Sequence, residues 1–248
     1  VDPKYKRLKI NILTLGRIGH LSSEIEPLMR KVKGEQEQDC LYLFISNTAV
    51  SCNSYLLSLL KNISHIIVAP FWHQLYVSRP TLLDDFFFAD FPYDLNSGLR
   101  GKSNTDINIQ GFKSLVNIYQ SYPKCTEIPP SDANKAWQIL SELGINRTDK
   151  LVCLHVRDSA YLSSFSAVHD FSYHDFRDAK IETYKKAVEH LISQGFKVVR
   201  IGANTNQQLE INDPNYFDFC LQRDELHGDF LEVFILDVCQ FFIANYGG

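Results

Sequence analysis

The sequence lacks the features that mark several common classes of protein. No apolar stretch approaches the roughly 20 residues that a membrane-spanning helix needs, and the charged N-terminus is not followed by a signal-type cleavage site. Internal repeats, Walker-type phosphate loops, H-E-x-x-H helices and cysteine-rich zinc patterns are also missing. We therefore expect neither a membrane-spanning protein nor a P-loop nucleotide hydrolase, and no resident metal site is predicted.

Charge and cysteine content exclude further classes of protein. The chain of 248 residues carries 25 basic and 29 acidic residues, so no overall positive field attracts nucleic acid. Its six cysteines are spread singly without a C-x-x-C pair, and several lie in or beside apolar runs. These patterns predict a globular protein of the cytoplasm with reduced thiols and no nucleic-acid partner.

The sequence does contain a regular alternation of short apolar runs with helical patterns. The runs are interpreted as buried strands, and strands separated by helices predict a parallel sheet. We predict an α/β fold class with two Rossmann-like domains. The predicted strands are 8–15, 40–45, 66–69, 151–156, 196–201, 216–220 and 239–244, and Asn245 follows the last of them. Helices are predicted in most of the intervals, and three of them are predicted to end at Gly34, Gly144 and Gly195.

A pair of prolines marks the predicted boundary between the domains. In Ile128-Pro129-Pro130-Ser131 the prolines hold an extended backbone, and Ser131 or Asp132 can cap the helix that follows. The prediction is an N-terminal domain at 1–128 and a C-terminal domain at 132–248. In a nucleotide-binding fold the glycine pair after the last strand would begin a phosphate loop, so we expect the second domain to be incomplete.

The first predicted strand enters a glycine loop before a helix. Two glycines, Gly16 and Gly19, let backbone N–H groups approach a ligand, and the following helix N-terminus favours an anion. Arg17 and His20 lie in the same loop. A tight strand-to-helix turn with both side chains solvated explains the pattern equally well.

The central feature of the chain is the strand Leu151–Val156, which contains His155 near its end and leads into Arg157 and Asp158. Ligands of open α/β sheets bind beyond the carboxyl ends of the strands, so these residues are candidates for a binding site. The next strand also ends on a positive charge and a glycine, Arg200 and Gly202. Between them is a polar loop that holds Tyr161, His169, Asp170, His174, Asp175, Arg177 and Asp178.

Each of these residues also has a structural interpretation. His155 could be a buried sheet histidine, and Arg157 could pair with Asp158 or Asp178. Arg177 and Asp178 could form a helix cap and its salt partner, and Arg200 could belong to an ion pair. Two other functions stay open at this point. They are a metal-dependent phosphoesterase that uses His155, Asp158, His169, Asp170, His174 and Asp175, and a carbohydrate-binding module that uses the aromatic segment 86–93.

Several segments together resemble a bacterial family assigned as glycosyltransferases. His155-x-Arg157 is also similar, more distantly, to the H-x-R motif of the fucosyltransferases, whose arginine meets the donor's diphosphate. The resemblance runs over nearly the whole chain. Its segments are Gly16 to Leu21, His155 to Ser159 with Tyr161, Arg177 to Ala179 before Ile181 to Tyr184, Val199 to Gly202, and Cys239 to Ile243 before the glycines.

The resemblance implies a GT-B fold, in which the first domain takes the acceptor and the second takes a nucleotide sugar without an obligatory metal or cofactor. Arg157, with Arg200, would neutralise the leaving diphosphate, and His20 or Asp158 would be the base for the acceptor hydroxyl. A glycan or another hydroxyl compound would be the acceptor, and peripheral contact with a membrane is compatible with it. Members continue past position 248, so the activity of this chain alone is left open. The implied nucleotide-sugar contacts are Arg17, Gly19, His155, Arg157, Tyr161, Arg177, Arg200, Gly202, Gly247 and Gly248.

Overall fold

A computed structural model describes most of the chain, namely residues 7–16, 18–35, 40–78, 115–160, 172–203, 205, 207–221, 223 and 227–245. The chain divides into two compact units, Val1–Glu127 and Ile128–Gly248. The aromatic segment 86–93 lies outside the described residues. Both units contain parallel strands separated by helices, so the predicted α/β class with parallel sheets is confirmed.

The first unit is built on a parallel sheet in the order β1-β2-β3. Leucines at 13, 15, 21 and 28 form its core together with Phe44 and Leu60. They come from alternate positions of the chain after β1 and from one face of α1, which is the periodicity that the sequence displays. The elements are β1 (Arg7–Ile12), α1 (Ile18–Gly34), β2 (Cys40–Ser46), α2 (Ser54–Lys61), β3 (His65–Val68), α3 (Pro70–Ser78) and α4 (115–121).

Helix α1 begins earlier than the proline in its sequence suggests. It starts at Ile18 and continues through Pro27 to Gly34, the residue predicted to end it. Proline removes the backbone donor that the Ser23 carbonyl would otherwise meet, so the helix tolerates one missing hydrogen bond here. Burial of Leu21, Ile25 and Leu28 against the sheet compensates for that loss.

The second unit has a four-stranded parallel sheet in the order β6-β5-β4-β7. Strand β4 is therefore central, with β5 on one side and β7 on the other. Residues 151 to 154 are all buried, as expected for a parallel strand covered on both faces. The elements are α5 (Pro130–Glu142), β4 (Lys150–His155), 3₁₀-helices at Ser172–Arg177 and Ile181–Tyr184, α6 (Lys185–Ser193), β5 (Phe196–Arg200), β6 (Tyr216–Asp218), α7 (Gly228–Val238) and β7 (Phe241–Ala244).

Two predicted helix caps in this unit are wrong. Helix α5 takes Pro130 as its first residue and Pro129 as its N-cap, without a side-chain cap, because proline suits the first turn of a helix. Asp178 was predicted to cap the helix that follows it. That helix instead starts through the 3₁₀-turn at Ile181, whose N-cap is Lys180, so Asp178 is available to the loop before it.

Glycines end two of the helices as predicted. Gly144 follows α5 with φ of 85°, and Gly195 follows α6 with φ of 81°, a backbone region that other residues rarely adopt.

Helices α5 and α7 contact each other through an aromatic pair. Trp137 of α5 packs edge-on against Phe234 of α7 at 5.4 Å between ring centroids. Within the described ranges, no helix is both long and apolar enough to cross a membrane.

Candidate functional site

The carboxyl ends of the second sheet bring several predicted site residues to one edge. Parallel strands end on the same side of a sheet, so His155 at the end of β4, Arg200 at the end of β5 with Gly202 just beyond it, and Asn245 after β7 come from adjacent strands. His155 lies directly opposite Ala244 in the β4–β7 register. This edge of the second unit is called the β4 edge below.

Arg157 is held by its main chain. Its N–H donates to Asn245 Oδ1 at 2.8 Å, and its carbonyl accepts from Asn245 Nδ2 at 3.2 Å. The same carbonyl accepts from the Ala179 N–H at 3.0 Å. The side chain of Asn245 thus continues the pairing between β4 and β7 beyond the point where the backbones stop pairing.

The guanidinium of Arg157 pairs with a carboxylate from the other end of the loop. Arg157 Nη2 lies 3.5 Å from Asp178 Oδ1, and the two side chains are 13% and 21% exposed. The distance is long for a charge-assisted bond, and both groups keep contact with solvent. The structural interpretation of Arg157 as a partner of Asp178 therefore describes this pair, and the two side chains are mostly but not fully buried.

Asp158 and Arg177 occupy the two ends of the loop that follows β4. Asp158 Oδ1 accepts from the Ala160 N–H at 2.9 Å, a local turn that orients this carboxylate. The Arg177 guanidinium lies 5.2 Å from the centre of the Phe176 ring, and its carbonyl accepts from Asn245 Nδ2 at 2.6 Å. Asn245 therefore touches both ends of the loop.

Arg200 is an ion-pair partner. Its side chain is 1% exposed and its Nη1 lies 2.9 Å from Asp218 Oδ2, with Asp218 itself 7% exposed. The Tyr216 hydroxyl donates to the same oxygen at 3.3 Å. Arg200 was interpreted either as a ligand contact or as part of an ion pair, and in the structure it forms the ion pair.

His155 and Gly202 face each other across β4 and β5. A Cβ built on Gly202 would lie 3.7 Å from His155 Cδ2 and 3.4 Å from Cys220 Sγ, and Gly202 has φ of 150°. Only glycine fits this position without strain. Burial, with help from the charge of Arg200, lowers the pKa of His155, so its ring is neutral near pH 7.

Two charged residues at the β4 edge were missed by the sequence analysis. Glu232 of α7 accepts from the Gly202 N–H at 3.2 Å and from Arg223 Nη1 at 2.7 Å. Arg223 also reaches Asp229 at 2.7 Å. Burial raises the pKa of Glu232 against the opposing effect of Arg223. A single carboxylate inside the apolar run 230–236 was the signal that could have found it.

The remaining predicted residues lie elsewhere. Gly19 and His20 belong to the first turn of α1 in the first unit, where the Gly19 carbonyl accepts from Ser23 Oγ at 2.6 Å. His20 is thus a helix residue, although a loop position was expected. Arg17, Tyr161, Gly247 and Gly248 lie outside the described residues.

The alternative functions gain no support from the described residues. Among them, no group of three or more His, Cys, Asp or Glu side chains is arranged to hold a metal ion. His169, Asp170 and the side chain of His174, which belong to the phosphoesterase hypothesis, lie outside the described part of the chain. The aromatic segment of the carbohydrate-binding hypothesis also lies outside it.

Neither a scan against protein-family models nor a search of curated proteins found a match. A search of solved structures found the crystal structure of the glycosyl transferase family 9 from Veillonella parvula DSM 2008. The two chains share 12% sequence identity with a TM-score of 0.44, and the match covers 97% of this chain and 71% of that chain.

Proposed function

We propose that this chain belongs to a glycosyltransferase of GT-B type, which transfers a sugar from a nucleotide sugar to a hydroxyl group of a glycan or another acceptor. The second unit would take the nucleotide sugar at the β4 edge, and the first unit would take the acceptor. No metal is needed in this proposal, because arginine forks can neutralise a diphosphate directly.

The observation that carries the proposal is the position of Arg157. It follows the central strand of a parallel sheet at the carboxyl edge, where open α/β sheets bind ligands, and its side chain is 13% exposed. Its main chain is fixed by three hydrogen bonds, two with the Asn245 side chain and one with the Ala179 N–H. A charge held in place before the substrate arrives costs no reorganisation when negative charge develops.

The chemistry assigns a role to the neighbouring residues. The acceptor oxygen attacks the anomeric carbon, the bond from that carbon to the diphosphate oxygen breaks, and the electron pair leaves with the diphosphate. Arg157 stabilises that growing negative charge, and neutral His155 can donate a hydrogen bond beside it. The acceptor proton goes to a carboxylate or imidazole, for which Asp158 and His20 are the two candidates.

Calorimetric titration with UDP, GDP and CMP tests the proposal on the full-length protein, with and without a chelator. We expect one nucleotide to bind equally well in both conditions. Bound ligand should also raise thermal stability, by about 2.7 kcal/mol at a ligand concentration of 100 times Kd. Arg157→Ala should weaken that binding at least about tenfold, since a charged hydrogen-bond partner is lost.

Arg147→Ala is the matched control for this experiment. Arg147 lies in the same unit, is exposed, and donates to Asn134 Oδ1 at 2.7 Å. It precedes the first residue of β4, whereas the β4 edge lies beyond the last residue of that strand. The control should bind the nucleotide like the wild type. The proposal is refuted if no nucleotide binds, or if Arg157→Ala and Arg147→Ala bind equally well.

A further inference from the structure

The side-chain amide of Asn245 makes three hydrogen bonds at the β4 edge. Its Oδ1 accepts from the Arg157 N–H at 2.8 Å, and its Nδ2 donates to the carbonyls of Arg157 at 3.2 Å and Arg177 at 2.6 Å. One acceptor facing an N–H and two donors facing carbonyls fix the orientation of the amide. The two arginines are bonded to one side chain that lies 88 and 68 positions further along the chain.

These bonds close the loop that follows β4. Arg157 precedes the loop and Arg177 ends the 3₁₀-helix that completes it, so Asn245 joins both ends. The Ala179 N–H bond to the Arg157 carbonyl and the Arg157–Asp178 pair lie at the same closure. A loop with its ends fixed in this way presents its terminal side chains in one defined arrangement.

We propose that Asn245 is a positioning residue, which sets Arg157 and Arg177 side by side as a receptor for the diphosphate of the ligand. The inference rests on the proposed function, because it concerns the same anion. Asn245 does not touch the anion in this scheme. It bonds to the backbone of the two arginines, so its effect on the affinity for the anion depends on the guanidinium groups that it positions.

The test measures the affinity of the full-length protein for inorganic pyrophosphate by ³¹P NMR titration, which covers weak binding. Asn245→Ala should weaken binding about tenfold, a coupling typical of residues that share one hydrogen-bond network. Asn245→Gln keeps the amide on a chain one methylene longer and should recover part of that loss. Asn134→Ala, at an exposed position of α5, is the matched control and should bind like the wild type.

A double-mutant cycle separates positioning from a merely structural role. In an Arg157→Ala background, Asn245→Ala should cause a clearly smaller loss than in the wild type, because one of the two guanidinium groups that it positions is already absent and only the effect through Arg177 remains. Circular dichroism and urea unfolding establish that each variant is folded before titration. Should Asn245→Ala fail to fold, Asn245→Gln in the two backgrounds carries the same comparison.

The outcomes distinguish this inference from the proposed function. Failure of the wild-type protein to bind pyrophosphate and every nucleotide overturns the proposed function, and the inference with it. If the wild type binds pyrophosphate and Asn245→Ala binds it equally well, the inference about Asn245 is overturned and the proposed function is not. The same factor of loss in both backgrounds also overturns it, since an equal loss means that Asn245 acts on stability and not through Arg157.

Discussion

Replacing Asp218 by alanine should destabilise the second unit strongly, because it leaves the buried Arg200 guanidinium without its carboxylate. The two side chains are 1% and 7% exposed and their charged atoms lie 2.9 Å apart, so water can replace little of the lost pairing. Breaking a buried pair from one side typically costs about 3–5 kcal/mol. A domain has only about 5–15 kcal/mol in total, so this single change should remove a large share of the stability.

Urea unfolding followed by circular dichroism measures this loss. The two units can unfold separately, so a variant of the first unit is needed to assign the transitions. Asn53→Ala serves that purpose, because Asn53 Oδ1 accepts from the Leu56 N–H at 2.7 Å as the N-cap of α2. Losing this cap should cost about 1 kcal/mol in the first unit only.

A double replacement provides the contrasting case. Arg200→Met with Asp218→Leu removes both charges together and fills the site with apolar atoms, a change that is often neutral or stabilising in buried pairs. We expect the double variant to be more stable than Asp218→Ala alone by several kcal/mol, in keeping with the cost of one uncompensated charge. If Asp218→Ala lowers the free energy of unfolding by less than about 1 kcal/mol, the description of this pair as buried and essential is refuted.

Three further predictions concern the same unit. Gly202→Ala should cost about 1–3 kcal/mol in urea unfolding, because φ of 150° strains a side chain; an unchanged midpoint would contradict this. The pKa of His155 is lower in the folded chain than in the unfolded chain, so the unfolded chain binds a proton more readily at acidic pH. Stability should therefore fall as the pH drops below about 6.5. His155→Gln should flatten that dependence, and exposed His190→Gln should leave it intact. Burial raises the pKa of Cys220 to about 12, so iodoacetamide at pH 8 should label it far more slowly in the folded protein than in urea, as read by mass spectrometry.

Local patterns in the sequence were sufficient for most secondary structure. Strands β2 and β5 were predicted within a residue of their ends, because apolar runs bounded by polar residues have few other solutions. Gly144 and Gly195 were predicted as helix stops, and both have the positive φ that such stops require. Errors arose where competing local rules apply, as at Pro130, which the sequence placed in a linker and the structure places in the first turn of a helix.

The site was less predictable, because it depends on which strands are neighbours. Residues 157 and 245 meet only because β7 pairs with β4 and β5 pairs on the opposite side, and periodicity contains no information on strand order. Asn245 was noted only as the residue after a strand. Glu232 became part of the β4 edge for a similar reason, since α7 presents it to the backbone of Gly202.

The structure also separates two arginines that the sequence treated alike. An anion that binds Arg200 must compete with Asp218 inside a pair only 1% and 7% exposed, whereas Arg157 and Asp178 are 13% and 21% exposed at 3.5 Å. The second pair is partly hydrated and longer, so an anion displaces it at a lower cost. The double variant Arg200→Met with Asp218→Leu should therefore bind pyrophosphate like the wild type, whereas Arg157→Ala should not. Loss of binding in the double variant, with circular dichroism unchanged, would mean that Arg200 meets the ligand directly and that its pairing with Asp218 opens on binding.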